Sequence, residues 1–259
     1  MNMPPNGGRS KVAHSAWIHG DEPPGGAGLR EARVWASLVP AMPGERSSVA
    51  PMLRASPRRS TAPLLPQSFF ARDALEVARD LLGKLLEREG VVLRITEVEA
   101  YRFPDDTANH CRVGRTGRNA AMWGPPGRAY VYLCYGLHNM LNLVTNREGE
   151  GAAVLIRSCE PVAGLPEIQR RRGMDSDRPL LLTGPGKIGQ ALGVDPGWCH
   201  HPLYEPGGLG LRDAPPVTAA LAGPRVGIDY ATPADRAAPY RLAVAGTRWV
   251  SVPGALRPV

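Results

Sequence analysis

The sequence predicts a single mixed α+β domain: a curved, mostly antiparallel β-sheet with peripheral helices and a protruding β-hairpin. Three observations carry that prediction. The run from Val91 to Tyr101 is rich in β-branched residues, as strands are. From Arg128 to Cys134 the side chains alternate, with Tyr130 and Tyr132 on one side and Ala129, Val131 and Leu133 on the other. Tyr135-Gly136 then interrupts and the pattern resumes from Met140 to Val144, as in a hairpin with an aromatic at its tip. Finally, Phe70, Ala74, Leu75, Ala78, Leu81 and Leu82 form a helical stripe that ends at Gly83, where a left-handed cap is expected.

Residues 1–62 are rich in Pro, Gly, Ser, Ala and Arg and show no sustained periodicity. Such a segment buries too little apolar surface to offset the entropy of ordering, so a disordered basic tail is expected, with Met42 and Met52 as alternative translation starts. The folded domain is expected over 63–259, opening with the helix at Phe70–Leu82. Two strands, Lys84–Glu89 and Val91–Tyr101, flank Gly90. Phe103-Pro104-Asp105-Asp106 is a turn signature that should bring His110 back toward the strand end. After the hairpin, an acidic, glycine-rich turn at Glu148–Gly151 leads into a strand at Ala153–Ser158. Pro161–Arg172 reads as a helix ending in Arg170, Arg171 and Arg172, which either touch phosphates or form a solvated face.

Thr183-Gly-Pro-Gly-Lys places a glycine-rich turn before a short helix, where free N–H groups and the helix dipole suit a phosphate, with Lys187 as the residue expected to touch it. It is not a nucleotide-binding P-loop, since Leu181 stands at the first required glycine and Ile188 replaces the Ser/Thr that would reach magnesium. Beyond Gly193 loops are expected until two strands, Arg241–Val244 and Arg248–Val252.

A formal charge of +7 and a pI near 9.6 favour a polyanionic partner. Cys111, Cys134, Cys159 and Cys199 lie too far apart for a zinc site or a compact disulfide framework. With no apolar run of about 18 residues and no secretory core at the N-terminus, the expectation is a cytoplasmic protein with reduced thiols, without metal or cofactor.

Chemistry concentrates between Thr96 and Asn142. On a strand, Glu97, Glu99 and Tyr101 share one face and Val98 and Ala100 the other. A carboxylate facing His110 across the turn is an acid/base pair, although a solvated strand face accounts for Glu-x-Glu equally well. An exposed tyrosine at a hairpin tip suits a wedge between base steps, while the same tyrosines also fit ordinary strand aromatics.

These residues carry a resemblance. Thr-Glu-Val-Glu-Ala-Tyr at 96–101, Asp106 to His110, Gly-Arg-Thr-Gly-Arg-Asn at 114–119, Pro-Gly-Arg-Ala-Tyr-Val-Tyr at 126–132, Tyr-Gly-Leu-His at 135–138 and Val-Leu-Ile-Arg at 154–157 resemble the alkyladenine (3-methyladenine, methylpurine) DNA glycosylase family. Order and spacing hold from about Leu65 to Val252, with Thr183–Lys187 and Trp249–Ser251 also in place. The resemblance implies a fold similar to the C-terminal domain of formyltransferases, and a monomer that excises damaged purines from double-stranded DNA, at the nucleoid of a bacterial cell. It implies Glu99 as the general base that activates a water, Arg157 as the group that orients that water, and Tyr135 as the intercalating residue. Tyr101, His110 and Tyr132 would hold the flipped base, the Ala108 N–H would read its N7 side, and Asn142 would crowd the amine of guanine. Arg115, Arg118 and Lys187 would contact the DNA backbone.

The pattern has departures. Arg115-Thr-Gly-Arg is one residue shorter than the mammalian motif with Gly117 where proline is usual, and Asn109 and Cys111 flank His110 in place of small residues. The only lysines are Lys11, Lys84 and Lys187, none in the dense stretch, so a Schiff base with the sugar and strand cleavage are not expected. Two other classes remain: a non-catalytic nucleic-acid-binding module of the same fold, for which a pocket carboxylate at Glu99 has no use, and a glycosidase of free nucleosides, for which Tyr135 has none.

Overall fold

The computed structural model describes residues 61–259, so the segment read as a basic tail, 1–62, lies outside the described residues apart from its last two. Two short helices, α1 (Gln67–Phe70) and α2 (Ala74–Leu81), replace the single helix expected from Phe70. Asp73 divides them, because its side chain accepts from the Leu75 N–H at 2.9 Å and so starts a new helix. The inner face of α2 buries Ala74, Val77, Ala78 and Leu81.

Strands β1 (Leu85–Arg88) and β2 (Val91–Tyr101) meet at Glu89-Gly90, both at positive φ, as a two-residue hairpin turn requires. The expected hairpin follows as β3 (Ala129–Cys134) and β4 (His138–Val144). Next, β5 (Ala153–Ala163) runs well past Ser158, because Glu160, Pro161 and Ala163 still pair with β2. Gly164, at φ +79° and with no room for a Cβ against Gly90, turns the chain into α3 (Leu165–Arg172). The arginines that close α3 are engaged within the protein. Arg170 and Arg171 pair with Glu167, Arg171 also with Glu89, and Arg172 donates to the Leu181 carbonyl and Gln190.

After α4 (Pro185–Leu192) the stretch expected to be loop contains β6 (Gly210–Arg212), β7 (Ala220–Gly223) and α5 (Pro233–Ala237) before β8 (Arg241–Val244). Three or four residues of Gly, Ala, Leu and Arg are too short to show a period of two. Arg248–Val252 is not a strand, and β9 is Arg257–Pro258. The Trp249 carbonyl and the Ser251 N–H serve the side chains of Thr96 and Glu97 instead of a ladder.

All strand pairs are antiparallel, in the order β3-β4-β5-β2-β8-β7-β9, with β1 bridging β2 to β6. One face, carrying Val98, Ala100, Val131, Leu141, Leu143, Val154 and Ile156, packs with α2 and with Ile188 and Leu192 of α4 as the main core. The approach of α4 to β4 is close: a Cβ on Gly189 would collide with the Asn139 carbonyl oxygen. Among the described residues no helix is long and apolar enough to cross a membrane.

Candidate active site

The register of the sheet sets a row of side chains across the face turned away from the main core. Tyr130 lies opposite Asn142, Asn142 opposite Leu155, Leu155 opposite Glu99, and Glu99 opposite Arg241; directly opposed residues share a face. Two residues to one side of this row Tyr132 lies opposite Met140, and two residues to the other side Tyr101 lies opposite Ala153. Arg157 joins them through a β-bulge, because Ile156 pairs with Val98 and Ser158 with Glu97, leaving Arg157 without an opposite residue. Such an extra residue re-aims its side chain.

A cavity of about 470 Å³ opens over these rows. Glu99, Arg157, Tyr101, His110, Tyr132, Asn142, Tyr135 and Arg118 all line it. Both carboxylates are fully buried, with Glu97 and Glu99 each 0% exposed, so the solvated strand face does not describe them. Glu99 Oε1 accepts from the Val226 N–H at 2.7 Å and lies 3.2 Å from Arg157 Nη1, while Oε2 accepts from the Tyr101 hydroxyl at 3.0 Å. Burial and the neighbouring Glu99 push the Tyr101 phenol well above its usual range, so it remains a donor.

Glu97 sits one bulge away in a denser shell. It accepts from Ser158 Oγ at 2.6 Å, from the Ser251 N–H at 2.7 Å and hydroxyl at 2.9 Å, from Arg241 Nη1 at 3.0 Å and from Arg157 Nε at 3.4 Å. Burial alone would raise this carboxyl, but Arg157 and the hydrogen bonds from Ser158 and Ser251 outweigh it and hold it below the usual carboxylate value.

The loop after β2 closes as an Asx turn in which Asp106 Oδ1 accepts from the Ala108 N–H at 3.0 Å. The Ala108 N–H, expected to read the N7 side of a flipped purine, donates within this turn, and the residue is buried outside the cavity lining. Asn109 caps the next turn, holding the Cys111 N–H at 2.9 Å, and aims the His110 ring across the cavity. His110 Nδ1 lies 3.1 Å from the Tyr130 hydroxyl, and its ring meets Tyr132 edge-on at 4.7 Å between centroids. Among the described residues the side-chain partner of His110 is the Tyr130 hydroxyl and not a carboxylate, so the acid/base pair expected across the turn is not joined by a direct hydrogen bond. Burial, then Arg118 and Arg112, lower the His110 pKa. Asn142 Nδ2 donates to the carbonyls of Met140 and Tyr130, at 3.1 and 3.2 Å.

Tyr135 is 93% exposed at the tip of the β3–β4 hairpin. The Leu137 N–H closes the turn onto the Cys134 carbonyl at 3.0 Å, with Tyr135 and Gly136 both at positive φ. A bulky side chain held in the left-handed region is a strained choice for a plain turn. Arg118 lies over the Tyr132 ring at 5.9 Å, while Arg115 is exposed nearby, outside the lining. Lys187 also lies outside the lining, half-buried in the first turn of α4, where burial and Arg172 lower its pKa.

The segment Pro224–Tyr230, read as plain loop, supplies Val226, Gly227, Ile228 and Tyr230 to the cavity wall. Arg225 lies 4.8 Å above the Tyr101 ring centroid and pairs with both oxygens of Asp106, at 2.5 and 2.8 Å. An arginine beside apolar and aromatic residues in a segment with no period was the available signal. Its partners Ala100 and Asp106 lie 125 and 119 positions away in sequence.

Comparison with known proteins fits this geometry. Residues 68–248 match the family model described as methylpurine-DNA glycosylase. The chain is 67% identical over 195 residues to a putative 3-methyladenine DNA glycosylase of Nitrosococcus oceani, covering 75% of this chain and 96% of that protein. It is 60% identical over 191 residues to the DNA-3-methyladenine glycosylase of Arabidopsis thaliana, covering 73% and 75% of the two chains, so such relatives are not confined to bacteria. A putative 3-methyladenine DNA glycosylase of Methanocella arvoryzae is 44% identical over 173 residues, covering 65% of this chain and 86% of that one. From the buried glutamate in its aromatic cavity to the match along most of the domain, the chain belongs to the methylpurine-DNA glycosylase family.

Proposed function

We propose that this protein, as a monomer, extrudes an alkylated or deaminated purine from double-stranded DNA into the cavity and hydrolyses its N-glycosidic bond with a water activated by Glu99. The observation that carries this reading is a buried carboxylate at the base of a cavity walled by Tyr101, Tyr132 and His110. Its volume of about 470 Å³ falls in the range of small-molecule sites, roughly 300–1,000 Å³. A surface that only bound DNA would gain nothing from an anion there.

In this reading Tyr135 enters the stack as the damaged nucleotide leaves it, at a cost of a few kcal/mol that is smallest for damaged or mispaired bases. The rings hold the purine by stacking, and a cationic alkylated purine gains about 0.5–2 kcal/mol per ring from cation–π attraction. Oε1 of Glu99 already serves two donors and Oε2 only one, so the second lone pair of Oε2 is the place for the water. As the C1′–N bond breaks, its electron pair leaves with the purine, the water oxygen bonds C1′, and Glu99 takes the water proton. The carboxylate also stabilises the cationic sugar, and Arg157 orients the water.

Asn142 excludes guanine through its amide, and Arg115, Arg118 and Lys187 hold backbone phosphates. With no lysine at the cavity the product is an intact strand carrying an abasic site. In a bacterial cell the enzyme works on the nucleoid. The test is base release under single turnover from duplexes carrying hypoxanthine, 1,N6-ethenoadenine or an alkylated adenine, read before and after alkali. Strand breaks that need alkali support the reading; breaks without alkali, or tight binding with no release on any lesion, overturn it.

A further inference from the structure

Glu97 is as deeply buried as Glu99 and closer to saturated with donors, yet it does not line the cavity. A scaffold anchor would account for its bonds to Ser158 and Ser251. Its hold on Arg157 is different in kind. The guanidinium gives Nε to Glu97 and Nη2 to Ser251 Oγ at 3.2 Å, and that hydroxyl in turn donates to Glu97. Only Nη1 is left for Glu99. Two of the three nitrogens of Arg157 are thus fixed by Glu97, directly or through Ser251, and the third is delivered to the cavity carboxylate.

Charge points the same way. The cluster holds two buried carboxylates, Glu97 and Glu99, and two buried guanidiniums, Arg157 and Arg241. Among the described residues, the acceptors of Arg241 apart from Glu97 are the carbonyls of Pro224 and Val252, at 2.8 Å each. Glu97 therefore neutralises Arg241 and takes a share of Arg157, so Glu99 is not locked into a full ion pair. A carboxylate clamped by both forks of an arginine would have little room for a water. The bulge that leaves Arg157 unopposed on β5 makes this sharing possible, since it sets the guanidinium between the two carboxylates.

From this geometry we infer that Glu97 is a positioning residue for catalysis: through Arg157 and Ser251 it holds the guanidinium so that only Nη1 reaches Glu99, keeping an oxygen of Glu99 open to water. The inference rests on the general-base reading of Glu99. Neutralising Glu97 releases Arg157 to swing onto Glu99, and a misplacement of about 1 Å in such a site costs on the order of a hundredfold in rate.

The experiment measures single-turnover base release and lesion-duplex affinity for wild type, Glu97→Gln, Arg157→Met, the double variant, Ser251→Ala and Glu99→Gln, with folding checked by circular dichroism. Glu97→Gln is expected to slow release by roughly tenfold to a hundredfold with affinity within about twofold, and to add little further loss in the Arg157→Met background. Wild-type release by Glu97→Gln, a loss confined to affinity, or an undiminished further loss in the Arg157→Met background assigns Glu97 to the scaffold and overturns the inference. If Glu97→Gln does not fold, Ser251→Ala decides: slower release at unchanged affinity supports the positioning role, and wild-type release contradicts it. Retained activity in Glu99→Gln would instead remove the general-base reading, so the two failures are separable.

Discussion

On the His110 ring, burial and charge act together. Both lower its pKa, burial first and then Arg118 and Arg112, so the folded protein favours the neutral imidazole over its ordinary value near 6.5. A base whose folded pKa is depressed contributes stability that is present above about pH 6.5 and is lost as pH falls through the lowered value, because the unfolded chain then binds the proton first. A neutral ring is the better face for a cationic purine. An NMR titration of His110 in the free protein should therefore fall below the ordinary value, and Arg118→Gln should move it part of the way back. A titration at or above the ordinary value in wild type would show that Tyr130 is the acceptor of a charged imidazolium instead.

The hairpin is the element in which the sequence departs furthest from local preference. A β-turn with both central φ values positive is best served by Asn-Gly, and this chain places Tyr135-Gly136 at those positions of its three-residue loop. Tyr135→Asn would restore the preferred pair without the extra chain entropy that a second glycine brings. It is expected to raise stability toward urea by about 1 kcal/mol while slowing base release from duplex DNA, since the wedge is gone. Unchanged release with Tyr135→Asn would mean that the tip does not enter the stack. The hairpin itself was legible because seven residues alternate cleanly before Tyr135 and the pattern resumes after it. By contrast β6 and β7 were invisible, being three and four residues of Gly, Leu, Ala and Arg whose partners lie far along the chain. The run at Arg248–Val252 misled for the opposite reason. It has strand-like residues, but its backbone groups are taken by Thr96 and Glu97.

For the molecule as a whole, the period of two on β2 sufficed to put Glu97, Glu99 and Tyr101 on one face. It carried no information on what would cover that face. Burial of both glutamates depends on Arg157, displaced by a bulge in β5, and on Arg241, Val226 and Ser251 from the C-terminal third, contacts that only the closed sheet creates. The +7 charge agrees with a DNA partner, but the partition of roles inside the cavity comes from the register of neighbouring strands.

The charge of Glu99 is central to the proposed hydrolysis, and Glu99→Gln removes that charge while keeping size and most hydrogen bonds. Single-turnover release from a lesion duplex, measured beside duplex affinity, tests it most directly. Alkali-dependent release is expected to fall by about a hundredfold or more while lesion-duplex affinity stays within a few fold. Release at the wild-type rate by a folded Glu99→Gln protein would contradict it, and the cavity would then need another source for its nucleophile.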